Sequence, residues 1–123
     1  MKVIHTQKAP AAIGPYSQAL DLGTMVFLSG QIPIHPETGE MPMTIEDQTI
    51  QVLNNVNNIL LEAGLSISNV VKTTVFLADM NDFAAMNEQY ERFFTKPYPA
   101  RSCVQVAALP KSAKVEIECI AVR

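Results

Sequence analysis

Two segments of the chain carry apolar residues at the spacing of an amphipathic helix. The first runs from Asp47 to Ala63, where apolar residues return to the same side at helical intervals. Its stripe consists of Ile50, Leu53, Val56, Leu60 and Ala63. Thr44 and Asp47 are spaced as a capping pair, and Gly64 is placed to end the helix. The second segment, Phe83 to Phe94, predicts another amphipathic helix.

Five other segments are rich in apolar and β-branched residues and predict strands. They are Tyr16 to Leu22, Met25 to Ser29, Val70 to Leu77, Ser102 to Leu109 and Lys114 to Val122. The first two turn at Gly23-Thr24 and predict a hairpin, and the third is expected to be central. Prolines and glycines between Gly30 and Met43 predict a surface loop, and residues 110–113 join the last two strands. The order ββαβαββ predicts one α+β domain, a sandwich covering residues 1–123.

The last predicted strand is apolar on both of its faces. One face carries Val115, Ile117, Cys119 and Ala121, and the other adds Ile120 and Val122. Two helices can cover only one face of a sheet. We therefore expect a second copy of the chain to cover the opposite face.

Composition and charge narrow the classes of function. A net charge of −3 and a pI near 5.3 do not favour nucleic acid as a partner. The five basic residues between Arg92 and Lys114 are typical of a solvated face. No signal peptide or membrane-spanning stretch is recognisable, so we expect a cytoplasmic protein. Cys103 and Cys119 lack metal-ligand spacing and are expected to be free thiols, and no motif predicts a metal or a cofactor.

Charged residues in two of the strands have both an ordinary and a chemical interpretation. Arg101 begins a strand, where exposed arginines are common, but a buried guanidinium needs an anionic partner. Its alternative role is to hold a substrate carboxylate through two parallel hydrogen bonds. Glu116 and Glu118 share one strand face and are either exposed glutamates or general acid/base groups.

Three other residues could hydrogen-bond a small polar ligand, although each also has an ordinary structural role: Tyr16, Ser29 and Asn87. Ser29 lacks a nucleophile elbow, and neither histidine has an acidic partner at triad spacing. Nucleophilic serine catalysis is therefore not predicted. The asparagines between Asn54 and Asn58 are interpreted as the polar flank of the first helix.

Five blocks of the sequence, in their order and spacing, resemble the signatures of the Rid (YjgF-type) family. They are Ala11 to Ala19, Ser29 to Pro33, Lys72 to Phe76, Pro99 to Val104 and Val115 to Glu118. The resemblance spans nearly the whole chain. It implies a chorismate-mutase-like sandwich, with a mixed sheet and two helices on one face, assembled as a homotrimer with clefts between subunits. It also implies cofactor-independent hydrolysis of 2-iminopropanoate, 2-iminobutanoate and their enamine tautomers to 2-oxo acids and ammonia.

The resemblance also implies roles for individual residues. Arg101 would bind the substrate carboxylate, and Glu116 would hold and polarise the attacking water. Tyr16, Ser29 and Asn87 would line the cleft. Gly30 and Cys103 would contribute mainly backbone groups.

A few positions depart from the family pattern. Ala108 replaces a frequent arginine, Gln105 a frequent glutamate and Cys119 a small apolar residue. The connection from Thr95 to Tyr98 is short compared with that of some relatives. None of these departures falls on the implied site residues.

Two other functions use the same surface features. In the first, Arg101 captures a 2-oxo acid and the assembly acts as a sensor without turnover. In the second, an RNA-binding endoribonuclease uses the basic residues between Arg92 and Lys114. The acidic pI and the lack of interleaved exposed aromatics disfavour the second function.

Overall fold

The computed structural model describes residues 1–123 and contains one six-stranded mixed sheet and two helices. The strands are β1 (Lys2–Ile4), β2 (Ala19–Asp21), β3 (Met25–Gln31), β4 (Val70–Leu77), β5 (Ala100–Gln105) and β6 (Val115–Val122). The helices are α1 (Ile45–Glu62) and α2 (Phe83–Phe93). Three short 3₁₀ turns cover Ile67–Asn69, Met80–Asp82 and Pro110–Ser112. The predicted α+β class is confirmed, with one more strand, β1, than the sequence pattern indicated.

The strands lie in the order β1-β2-β3-β6-β4-β5. The predicted hairpin of β2 and β3 is confirmed, with Ala19 opposite Leu28 and Asp21 opposite Val26. All neighbouring strands are antiparallel except β4 and β5. Because α2 carries the chain back along the sheet, β5 enters in the same direction as β4. The last two strands are therefore consecutive in sequence but separated by β4 in the sheet.

Local sequence signals account for the bounds of α1. Thr44 precedes the helix, and its Oγ1 accepts a hydrogen bond from the Asp47 N–H at 3.1 Å. Gly64 follows it with φ +76°, a conformation that favours glycine. The predicted stripe is wrong at Ile50, which is 42% exposed. The helix presents its centre to the sheet through Val52, Leu53, Val56, Ile59 and Leu60, so Ile50 falls at the solvent edge.

Several predicted bounds shift where side chains compete for the backbone. Tyr16 to Leu22 was predicted as a strand, but β2 contains only Ala19–Asp21. The Gln18 side chain bonds to Thr6 instead, accepting from its N–H at 2.7 Å and donating to its carbonyl at 3.0 Å. The predicted strand from Ser102 to Leu109 begins earlier and ends at Gln105, whose Oε1 accepts from the Met80 N–H at 2.8 Å.

The hydrophobic core lies between the two helices and one face of the sheet. One face of β6 is buried in this core, as expected for its apolar side chains. It consists of Val115, Ile117, Cys119 and Ala121. The other face has no helix over it, and Phe27 on β3 remains 40% exposed. The prediction that the helices cover only one face is thus confirmed. Neither helix is long and apolar enough to cross a membrane.

The C-terminal arginine joins three parts of the fold. Arg123 Nη2 donates to Asp21 Oδ2 and, at 2.9 Å, to the Ala63 carbonyl, while the Arg123 N–H donates to Thr24 O at 3.0 Å. Asp21 Oδ1 accepts from the Gly23 N–H at 2.8 Å. The Gly23 hydrogen bond, and then Arg123, hold the pKa of Asp21 below its usual value. This clamp ties the end of α1 to the β2–β3 hairpin.

We expect Asp21→Asn to lower the free energy of unfolding at neutral pH. The variant should also lose less of that free energy than the wild type does as the pH falls into the acid range. Since the folded-state pKa is depressed, the stabilisation is complete above the unfolded value of 3.8 and is lost as pH falls through the folded value. Urea unfolding from neutral to strongly acidic pH measures both effects. Glu88→Gln is the control, because its pair with Arg92 is exposed, and it should change the free energy of unfolding by at most about 0.5 kcal/mol. Equal effects of the two substitutions would contradict the clamp.

Candidate active site

A cleft of about 780 Å³ opens on the side of the sheet that the helices leave uncovered. Four of the sequence-predicted site residues line it: Tyr16, Ser29, Gly30 and Glu116. Ser29 and Gly30 lie on β3 and Glu116 lies on the neighbouring strand β6. The structure therefore brings together residues that are far apart in the sequence.

Gly30 and Glu116 are in close contact across the two strands. A Cβ at position 30 would lie 2.5 Å from Glu116 Oε2 and 2.9 Å from its Cδ, closer than any side chain tolerates. The backbone of Gly30 has no left-handed strain, so the absence of a side chain is what this position requires. Glycine allows the carboxyl group to rest against the main chain of β3.

The hydroxyl groups of Ser29 and Tyr16 are held by the main chain at the edge of the cleft. Ser29 Oγ donates to the Ser17 carbonyl at 2.6 Å, which fastens the segment before β2 to β3. Tyr16 Oη accepts from the Ile13 N–H at 3.3 Å, and the ring is 50% exposed. Ser29 thus acts mainly as a support, whereas Tyr16 leaves much of its surface available to a ligand.

The environment of Glu116 raises the pKa of its carboxyl group above the usual value. Burial raises the pKa of the Glu116 carboxyl, and the charge of Glu118 two residues along the same strand face raises it further. Glu118 also lines the cleft. A carboxyl group whose pKa is moved toward neutrality can accept and return a proton, which is the requirement for general acid/base chemistry.

Arg101 lies in a different place, between β5 and α2. Its Nη1 donates to Asn87 Oδ1 at 2.6 Å. Its guanidinium carbon stands 4.8 Å from the centre of the Tyr90 ring and 5.5 Å from that of Phe83, within the range of cation–π attraction. Arg101 forms no ion pair within the chain, so the predicted anionic partner is not one of its own side chains.

The arginine and the cleft glutamate face opposite sides of the sheet. Arg101 is paired in register with Thr73, which is buried beneath α2. Glu116 alternates with the buried Val115 and Ile117 and therefore points away from the helices. A cavity of about 450 Å³ beside Asn87 and Arg101 is separate from the cleft. One chain thus holds two groups of predicted site residues that do not meet.

The two cysteines are free thiols, as predicted. Cys103 is half-buried on β5, two residues after Arg101, and burial raises the pKa of its thiol. Cys119 is buried on β6, where burial raises the pKa of its thiol to about 12. Both side chains are therefore protonated at neutral pH and are poor nucleophiles. The structure contains no group of three or more His, Cys, Asp or Glu side chains that could hold a metal ion.

The sequence did not indicate several residues that shape the two groups. Tyr90 falls inside the predicted second helix and Thr73 inside a predicted strand, without any sign of a special role, yet their hydroxyls are hydrogen-bonded at 2.7 Å beneath Arg101. Lys111 lines the cleft because it and Ser112 adopt left-handed φ values of +55° and +58°. Neither residue type predicts that conformation, so only the Pro110 before them offered a signal for a turn.

A mixed sheet, a carboxyl group in an open cleft and an arginine held between aromatic rings together characterise this α+β protein. Comparison with known proteins identifies the family to which the chain belongs. The chain belongs to the Rid (YjgF-type) family, since residues 6–123 match the family model described as Endoribonuclease L-PSP.

Relatives in this family carry more than one name. The chain is 60% identical over 126 residues to the RutC family protein PM1466 of Pasteurella multocida, covering 99% of this chain and 98% of that one. It is 57% identical over 125 residues to the 2-iminobutanoate/2-iminopropanoate deaminase of Escherichia coli K12, with 99% and 98% coverage. Among solved structures, Escherichia coli TdcF with bound serine superposes with a TM-score of 0.97 at 57% identity, covering 100% of this chain and 99% of that one. The relatives that are named as deaminases support deamination of reactive intermediates as a function of the family.

We expect Gly30→Ala to displace the Glu116 carboxyl group while leaving the fold intact. The backbone at position 30 suits alanine, but the new Cβ would overlap Glu116 Oε2. A crystal structure of the variant should show the carboxyl moved toward the open cleft. Titration of the Glu116 carboxyl by carbon NMR should then give a lower pKa than in the wild type, because the displaced group is better hydrated. An unmoved carboxyl with an unchanged pKa would contradict this account of Gly30.

Proposed function

We propose that the protein hydrolyses 2-imino acids and their enamine tautomers to 2-oxo acids and ammonia, with 2-iminopropanoate and 2-iminobutanoate as substrates. The observation that carries the proposal is Arg101, a guanidinium fixed by Asn87 and two aromatic rings but without any carboxylate partner in its own chain. A substrate carboxylate supplies the missing anion. The naming of a 57% identical relative as a deaminase of these imines supports the same assignment.

Arg101 binds and orients the substrate. Its planar fork can form two parallel hydrogen bonds to one carboxylate, which fixes both position and rotation of a small 2-imino acid. Asn87 and the rings of Phe83 and Tyr90 hold the guanidinium before the substrate arrives. The ordering of the arginine is thus completed on folding rather than on binding.

Glu116 manages the protons of the reaction. A protonated imine is already electrophilic at C2, so the carboxylate of Glu116 needs only to take a proton from a water as its oxygen bonds to that carbon. The same proton then passes to the nitrogen of the carbinolamine. The C–N bond breaks, ammonia leaves, and the hydroxyl proton is released as the carbonyl forms. Hydrolysis exchanges C=N for C=O without a change in oxidation state, so no redox partner enters.

The complete site is proposed to form between subunits of a homotrimer, with three clefts. Arg101 and Glu116 face opposite sides of one sheet, so a single chain cannot present both to one small molecule. A neighbouring copy that covers the open face can bring its own Arg101 to the cleft of Glu116. The exposed Phe27 and the half-buried Ile120 supply apolar surface for that contact.

Three of the five basic residues between Arg92 and Lys114 lie in separate parts of the structure, which disfavours RNA as a ligand. Arg92 pairs with Glu88 on α2, Arg101 lies in its aromatic cradle, and Lys111 lines the cleft. Charges spread over separate elements lack the continuous stripe that follows a phosphate backbone. This placement favours deamination over the nuclease activity that the family model's description carries.

We expect Arg101→Ala to reduce kcat/KM for imine hydrolysis by about 100-fold, the loss of a charged bidentate contact. The assay couples a threonine dehydratase to 2-oxobutanoate formation, with semicarbazide as a competing trap for the imine. Arg101→Lys is the matched variant, because it keeps the charge and loses the fork, and it should recover only part of the activity. The proposal would be contradicted if the folded wild-type protein binds 2-oxobutanoate but never outcompetes the trap. That result would instead support a sensor without turnover.

We expect two inactive variants to restore each other when they share an oligomer. Arg101→Ala and Glu116→Gln each damage a different half of the site. Random equimolar assembly should give about one quarter of wild-type activity, because one cleft in four combines an intact arginine with an intact glutamate. Each variant subjected alone to the same unfolding and reassembly is the control. If mixing restores no activity, the site does not combine residues of two chains, and the proposal is contradicted. Light scattering tests the proposed trimer independently.

A further inference from the structure

Beneath the arginine lies a buried pair of hydroxyl groups that the proposed reaction does not itself use. Tyr90 on α2 and Thr73 on β4 are hydrogen-bonded through Oη and Oγ1 at 2.7 Å. Tyr90 is 5% exposed and Thr73 is 1% exposed, so neither hydroxyl can exchange this partner for bulk water. Thr73 is also the residue directly opposite Arg101 in the β4–β5 register.

The Tyr90 ring is fixed on two other sides as well. It packs against Phe94 with ring centres 4.5 Å apart, and the guanidinium carbon of Arg101 lies 4.8 Å from its centre. Burial raises the pKa of the Tyr90 hydroxyl, which keeps it neutral and able to serve as a hydrogen-bond donor. The ring therefore connects the rigid strand β4 to the guanidinium.

We propose that Tyr90 is a positioning residue for Arg101, and that its hydrogen bond to Thr73 sets the height and tilt of the guanidinium that receives the substrate carboxylate. Packing against Phe94 and Arg101 constrains the faces of the ring, and the hydroxyl anchored to a β-branched residue of a strand fixes its far end as well. Asn87 holds one guanidinium nitrogen, and the Tyr90 ring supports the plane.

This inference rests on the proposed carboxylate-binding role of Arg101 and adds a prediction that packing alone does not make. Tyr90→Phe and Thr73→Val each keep the shape of the core and remove one hydroxyl of the pair. Both should raise KM for the imine about fivefold with kcat within about twofold, because the arginine binds ground state and transition state alike. The double variant should show the same fivefold rise, since the two hydroxyls act as one unit.

Thr49→Val is the control. Its hydroxyl is equally buried but donates to the Ile45 carbonyl of its own helix at 2.7 Å, away from both groups of site residues. The control should lower the melting temperature and leave KM unchanged. Thr73→Ser, which keeps the hydroxyl, should restore KM toward the wild-type value.

A second measurement, the Kd for 2-oxobutanoate by calorimetry, separates this inference from the proposed reaction. A fivefold weaker Kd in Tyr90→Phe and Thr73→Val supports the positioning role even if the wild type shows no turnover. Wild-type KM and Kd in both variants, with only a loss of stability like that of Thr49→Val, would reduce the pair to a structural contact. Wild-type protein that neither turns over nor binds 2-oxobutanoate would overturn both proposals.

Discussion

The structure depends on one imbalance: a six-stranded sheet has two faces, and its two helices cover only one of them. The covered face contains the apolar side of β6 and the contacts of α1 and α2, and it supplies the core. The open face keeps Glu116 and Ser29 in the cleft, where the carboxyl group of Glu116 remains accessible. Arg101 is directed to the other side and held there by α2. The division of the site into two groups is therefore a direct consequence of how the sheet is covered.

The cleft walls consist largely of segments without regular structure, and buried amide side chains hold them in place. Gln18, 2% exposed, bonds to the N–H and carbonyl of Thr6 and to the Pro10 carbonyl. Asn55 is fully buried on α1 and donates to the carbonyls of Ile32 and Ile34. Because buried main-chain carbonyls need partners, these two amides substitute for a strand or helix at each wall. The cleft keeps its shape without an additional layer of secondary structure.

Glu116 and Arg101 lie in different electrostatic environments. Glu116 is partly desolvated beside another carboxyl, and both effects raise the pKa of its carboxyl group. Arg101 is supported by a neutral amide and by aromatic faces instead of a carboxylate. An ion pair within the chain would have neutralised the arginine. Aromatic support leaves its charge available to a ligand.

The sequence by itself determined the elements whose signals are local. The capping residue Thr44 and Gly64 bound α1 closely, β-branched composition predicted β4 at its observed limits, and alternation on β6 identified an uncovered face. The residues Arg101 and Glu116 were also identified as unusual in their strands.

Only the tertiary structure decided what depends on contacts between distant segments. It inserted β6 between β3 and β4, added β1, and buried Asn55, which had been interpreted as part of a polar flank. It also set Tyr90 and Thr73 beneath the arginine and turned Lys111 into the cleft. Periodicity reports which face of an element is apolar, but strand order, and the partner that each polar group finds, are fixed only when the elements pack together.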